Sequence, residues 1–119
     1  MEQRLYFKNL TVYQLSKKFV SSIYPLLKKF PQEERYALCD QIRRASISVP
    51  SNVVEGMSRN SDKEKVNFLN IAYGSLMEVL CQLDIAFDLH YITEEELKAI
   101  ETTGLEISRI IKGMMRNRS

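Results

Sequence analysis

The stretch QIRRASISVPSNVVEGMSR, Gln41 to Arg59, decides how this chain is read. On a helical wheel of about 100° per residue, its polar side chains gather within about one third of the circumference. They are Gln41, Arg44, Ser48, Ser51, Asn52, Glu55, Ser58 and Arg59, joined by Asp40 just upstream. Ile42, Ala45, Val49, Val53 and Gly56 fall opposite, with Leu38 before them. The phase survives across Pro50. The spacing therefore predicts one helix that continues, kinked, through the proline. Proline lacks the backbone donor, so the carbonyl of Ser46 is freed, and nearby serines or water can satisfy neighbouring backbone groups.

Working upstream, Thr11-Val12-Tyr13-Gln14 reads as a capping box, flanked by Leu10 and Leu15 as a hydrophobic staple. Leu15, Phe19, Ile23, Leu26 and Phe30 then recur at helical spacing, predicting a first helix that Phe30-Pro31 ends. Pro25 lies inside it and should kink its last turns, at a cost of about 3 kcal/mol offset by packing. Pro31 suits the start of the second helix, and Glu33 and Glu34 suit its positive end.

Working downstream, Ser61-Asp62-Lys63-Glu64 reads as a second capping box, opening a third helix that reaches Leu89. Phe68, Leu69, Ile71, Ala72, Tyr73, Leu76, Met77, Val79, Leu80, Leu83, Ile85, Ala86 and Phe87 surround much of it. One apolar stripe suffices for a surface helix. This one is either the centre of a compact bundle or part of a subunit contact. Thr93-Glu94-Glu95-Glu96 is a third capping box, with Ile92 and Leu97 as staple. Leu97, Ile100, Gly104, Ile107, Ile111 and Met114 form a bundle seam, on which Gly104 would admit a neighbouring backbone. The basic end, Arg109 to Arg118, has no acid and is expected to fray. The predicted fold is all-α: an antiparallel up-down-up-down four-helix bundle, one domain over residues 1–119, roughly 30–40 Å long.

Composition agrees with a single domain. The chain has 119 residues, 45% hydrophobic and 27% charged, with few glycines and prolines. No run approaches the roughly 20 apolar residues of a membrane span. MEQRLYFKNL has no signal-peptide core, so a cytoplasmic location is expected. Cys39 and Cys81 fit no CxxC or zinc spacing and are expected to be reduced core thiols. The net charge is +2, unevenly spread. Residues 1–59 carry ten Lys/Arg and five Asp/Glu, or +5, while residues 60–119 carry seven and ten, or −3. That permits a basic surface but is weaker than a dedicated nucleic-acid binder shows.

The polar ladder has two readings. Asp40 with Arg44, Arg44 with Ser48, Ser48 with Asn52, and Glu55 with Arg59 stand four apart, and such pairs contribute about 0.2–0.5 kcal/mol each on a solvated face. Alternatively the ladder (Asp40, Gln41, Ser48, Ser51, Asn52, Glu55) meets another subunit, while Arg43, Arg44 and Arg59 face a phosphate backbone. Catalytic motifs are missing: there is no GxSxG, HExxH, P-loop or GxGxxG. His90, the lone histidine, reads as a helix C-terminal cation or a partly buried side chain rather than a base. No catalytic residue, metal ligand or cofactor site is assigned, and an enzyme is not expected.

The segments FPQEERYALCDQIRRASISVPSNVVEGMSR (Phe30 to Arg59), FLNIAYGSLMEVLCQL (Phe68 to Leu83) and FKNLTVYQLSKKF (Phe7 to Phe19) carry a family resemblance. The chain resembles the four-helix-bundle proteins encoded in intervening sequences of bacterial 23S rRNA genes, often labelled ribosomal proteins. Tyr13 stands where that family commonly has tryptophan. Arg43, Arg44, Ser48, Pro50, Asn52, Glu55, Gly56 and Arg59 carry the motif. The resemblance implies a left-handed up-and-down bundle and a ring-shaped homo-oligomer, a pentamer. It also implies kinship with accessory proteins of diversity-generating retroelements, which bind nucleic acid and work with a reverse transcriptase. Those proteins are strongly basic and this chain is nearly balanced. Two functions are therefore carried forward: an oligomeric scaffold contacting RNA or an RNA-handling partner, and a protein–protein adaptor with no nucleic-acid role.

Overall fold

The computed structural model describes residues 5–118; Met1 to Arg4 and Ser119, including the start of the MEQRLYFKNL segment, lie outside the described residues. Four α-helices account for most of the chain: α1 (Thr11–Leu27), α2 (Leu38–Met57), α3 (Asp62–Asp88) and α4 (Glu94–Arg116). Each touches two others, α1 on α2, α2 on α3, α3 on α4 and α4 back on α1, so they enclose one core. Gln41 meets Gln82 and Ser48 meets Ser75 across α2 and α3, while Gly56 lies against Phe68. Rising numbers on α2 meet falling numbers on α3, so the two run antiparallel. Leu80 with Gly104, and Tyr73 with Lys112, show the same for α3 and α4. Phe19, Ile23, Ile42, Val49, Val53, Leu69, Leu76, Leu83, Ile107 and Ile111 are fully buried between them.

The local signals explain two helix starts. Ser61 Oγ accepts from the Glu64 N–H at 3.1 Å. Thr93 and Glu96 form a complete box, the threonine accepting from Glu96 N–H at 3.1 Å and the carboxylate from Thr93 N–H at 2.9 Å. Ile92 and Leu97 are both buried beside it.

Two starts differ from expectation. Thr11 is not a cap: Leu10 precedes the helix in extended conformation and gives no side-chain cap. A 3-10 turn at Tyr6–Asn9 comes first, and Gln14 Nε2 donates to its Lys8 carbonyl at 3.0 Å. Pro31 does not open α2 either. It precedes a short 3-10 turn, Gln32–Glu34, and α2 starts only at Leu38. α1 itself ends at Leu27, short of Phe30. The reason is tertiary. Phe30 is buried against Tyr91, with ring centroids 5.1 Å apart, and Tyr91 Oη donates to Glu34 at 2.9 Å. That hydrogen bond to a carboxylate favours the neutral phenol and raises the Tyr91 pKa. Lys29 reaches Glu96 at 2.5 Å, so the α1–α2 connection is docked on the α3–α4 connection.

α2 passes through Pro50 without a break. Ser46 Oγ donates back to Arg43 O at 3.0 Å, and Asn52 Nδ2 to Ser48 O at 2.8 Å, on either side of the proline. Three further expectations are corrected. The seam glycine Gly104 faces the Leu80 side chain, not a backbone: a Cβ there would lie 3.0 Å from a Leu80 methyl. The C-terminal end does not fray within the described residues: α4 stays helical to Arg116, and Arg118 donates to Met114 O at 3.0 Å. Cys39 is buried but Cys81 is exposed, so only one thiol belongs to the core.

Candidate functional site

The polar ladder of α2 divides when its contacts are followed residue by residue. Gln41 Oε1 accepts from Gln82 Nε2 of α3 at 3.3 Å, and Gln82 also donates to Glu78 at 3.2 Å. The Ser48 and Ser75 hydroxyls bond at 2.8 Å, and Asn52 Nδ2 donates to Ser48 Oγ at 2.8 Å. Glu55 pairs with Arg59, whose guanidinium lies 4.8 Å above the Phe68 ring of α3. Much of the ladder is thus a polar seam along the α2–α3 contact within one chain. Ser51 and Ser58 remain exposed. Of the intrahelical pairs anticipated from spacing, Ser48 with Asn52 and Glu55 with Arg59 form. Asp40 instead takes Arg43, three residues on, at 3.4 Å, and Arg44 pairs with neither Asp40 nor Ser48.

The three candidate arginines end in different places. Arg43 is partly buried on Asp40, and Arg59 is partly buried between Glu55 and Phe68. Arg44 is exposed and has no partner among the described residues. Lys65, which spacing did not flag, reaches from α3 to the carbonyls of Met57 and Arg59 and closes the C-terminal end of α2. Gly56 lets the helices meet at that end: a Cβ would lie 3.0 Å from Phe68 Cβ and 3.2 Å from the Lys65 carbonyl.

His90 sits just past α3 with φ of 66°. The Tyr91 N–H donates to Ala86 O and the His90 N–H to Phe87 O, each at 2.9 Å. This is a Schellman stop, with histidine in the left-handed position that glycine usually takes. Its side chain is exposed. Glu55 lines none of three clefts that border α1.

Exposed apolar side chains are spread over the molecule, Tyr36 and Leu105 among them, and two outer surfaces set them beside charge. On α3, Ile71 and Ile85 are 50% and 46% exposed, and Gly74, Glu78, Cys81, Asp84 and Asp88 share that side. From Val66 to Leu97 the chain has six acids and no Lys or Arg. The second surface is a groove between α1 and α2, lined by Phe7, Tyr13, Lys17, Val20 and Ser21 on one wall and Ile47, Pro50, Ser51 and Val54 on the other. Phe7 meets Tyr13 edge to face, with centroids 5.0 Å apart, and Lys17 Nζ lies 5.4 Å from the Tyr13 centroid. From Leu5 to Gln32 the chain has five lysines, all exposed, and no acid. Helical spacing had flagged α3 as apolar on several sides. It gave no sign of the groove, because its walls come from separate elements.

Against known proteins, the model of the 23S rRNA-intervening sequence protein family matches residues 8–113. The chain belongs to that family. A solved structure from the S23 ribosomal protein family, a protein of unknown function from Bacteroides thetaiotaomicron, has a similar fold. It is 26% identical, with a TM-score of 0.81, and the match covers 88% of this chain and 98% of that one. No curated protein matches. The family match covers α1, α2, α3, most of α4 and the ladder. Among the described residues, no helix is long and apolar enough to cross a membrane.

Proposed function

We propose that this member of the 23S rRNA-intervening sequence family is a non-enzymatic scaffold that assembles head to tail. The outward side of α3 in one copy fills the α1–α2 groove of the next. The observation that carries this reading is the complementarity of the two surfaces. One is apolar and acidic, around Ile71, Ile85 and Glu78; the other is apolar, around Ile47 and Val54, with Lys17 as the one charged residue of its lining. Pairing either surface with itself would place like charges together, which disfavours a two-fold contact. A contact between two different surfaces closes into a ring when its rotation allows. Five copies is the ring size that the family resemblance implies.

The test is mass in solution by light scattering. The wild-type chain runs as an oligomer, and Ile71→Asp/Ile85→Asp runs as a monomer. A wild-type monomer at micromolar concentration, or an unchanged mass in the double variant, would sink the reading. Cys81 provides a second probe, since it lies on the same side of α3. A bulky maleimide on Cys81 lowers the mass, while the buried Cys39 thiol, its pKa raised mainly by desolvation, reacts slowly.

RNA contact is the second reading, and exposed Arg44 favours it. With Arg59 already held by Glu55 and stacked over Phe68, Arg44→Ala weakens salt-sensitive RNA binding more than Arg59→Ala. Gel shifts at low salt that show no RNA complex remove this reading and leave the assembly intact.

A further inference from the structure

At the far end of α1, that helix, the 3-10 turn and the start of α2 enclose a cleft of about 280 Å³. Small-ligand sites begin at roughly this size. Phe30 and Cys39 contribute to an apolar floor, and Tyr24 stands at the edge, 38% exposed. Lys28, Arg35 and Arg43 line the cleft, and no carboxylate does. Lys28 and Arg35 have no ion pair among the described residues, and Arg43 has only Asp40, at 3.4 Å. The 3-10 turn itself carries two carboxylates: Glu34 is engaged by the Tyr91 hydroxyl at 2.9 Å, and Glu33 is exposed and outside the cleft lining.

Cations gathered around a partly enclosed apolar cleft repel one another, and an anion among them relieves the repulsion. An apolar floor with a tyrosine at its edge suits a flat ring attached to that anion. We propose that this cleft binds a nucleotide phosphomonoester. Lys28, Arg35 and Arg43 hold the phosphate, and the base lies on the apolar floor beside Tyr24. The site is complete within one chain, so it stands apart from the assembly proposed above. The same chemistry could arrive as a free nucleotide or as the 5′ end of an RNA strand.

The experiment is a calorimetric titration of the intact protein at low salt with adenosine 5′-monophosphate, adenosine, and a short oligoribonucleotide with and without a 5′ phosphate. The monophosphate saturates one site per chain and binds at least about tenfold more tightly than adenosine, as charge-assisted contacts require. Lys28→Ala/Arg35→Ala, at two exposed positions, loses about tenfold or more while its circular dichroism stays native. A phosphorylated strand that outbinds the mononucleotide assigns the site to RNA ends; the reverse order assigns it to free nucleotide, and either supports the phosphomonoester site. Three results overturn it: no saturable monophosphate binding, equal binding of adenosine, or a double variant that binds like wild type.

Discussion

α3 presents the same residue types on two sides with opposite fates. Inward, Leu69, Ala72, Leu76, Val79, Leu83 and Ala86 are fully buried, three or four positions apart. Outward, Ile71 and Ile85 remain about half exposed, at 50% and 46%. Burying a large aliphatic side chain completely is worth about 1.5–3 kcal/mol, so the inner side holds the fold together. The outer isoleucines keep part of that energy in reserve for a contact. A helix that is apolar on several sides is therefore central to the bundle and, in the proposed assembly, also offers its outer side to the next copy. Changes inside should cost stability and leave the contact surface alone; changes outside should do the reverse.

The largest expected effect comes from the inner side. Leu76→Ala costs about 2–5 kcal/mol in urea unfolding. It is best measured in the Ile71→Asp/Ile85→Asp background, where assembly cannot add stability by mass action. A loss below about 0.5 kcal/mol would break the distinction between the two sides. Next come the two glycines. Gly56→Ala must push against Phe68 Cβ and the Lys65 carbonyl and costs about 1–3 kcal/mol. At Gly74, on the outer side, a Cβ meets nothing within 4 Å. Gly74→Ala therefore stabilises the monomer, by about 0.5–1 kcal/mol, through helix propensity alone.

Smaller effects mark the helix ends, away from both sides. Thr93→Ala removes a cap and costs about 1 kcal/mol. The Lys29 hydrogen bond, and then the Thr93 N–H, hold the Glu96 carboxyl below its ordinary pKa. Its contribution is complete above the unfolded-state pKa and is lost as pH falls through the lower folded-state value. Glu96→Gln should flatten that part of the acid limb in a stability–pH profile. A gain equal to that at Gly74 is expected past the end of α3: His90→Gly relieves the left-handed backbone and adds about 0.5–1 kcal/mol.

Which features were legible in the sequence follows the reach of each signal. Ser61 with Glu64, and Thr93 with Glu96, act within one turn, and both set helix starts as read. Thr11 and Pro31 carried equally good local signals and did not. A preceding 3-10 turn took Gln14, and burial of Phe30 against Tyr91 held the chain out of helix until Leu38. The wheel placed the ladder on one side of α2 correctly, yet a wheel cannot say what covers that side. Ser75 and Gln82 on α3 cover much of it. The same limit explains Lys65 and the α1–α2 groove, whose partners lie on other elements. The exposure of Ile71 and Ile85 needed the packed bundle, because the residues that follow each, Ala72-Tyr73 and Ala86-Phe87, are apolar too.

Head-to-tail contact is most directly tested by mixing two broken chains. Ile71→Asp/Ile85→Asp lacks the α3 surface but keeps the groove. Ile47→Asp/Val54→Asp lacks the groove but keeps the α3 surface. Light scattering should find each alone as a monomer and their equimolar mixture as a dimer, with nothing larger. Oligomers formed by either variant alone, or a mixture that stays monomeric, would contradict the account.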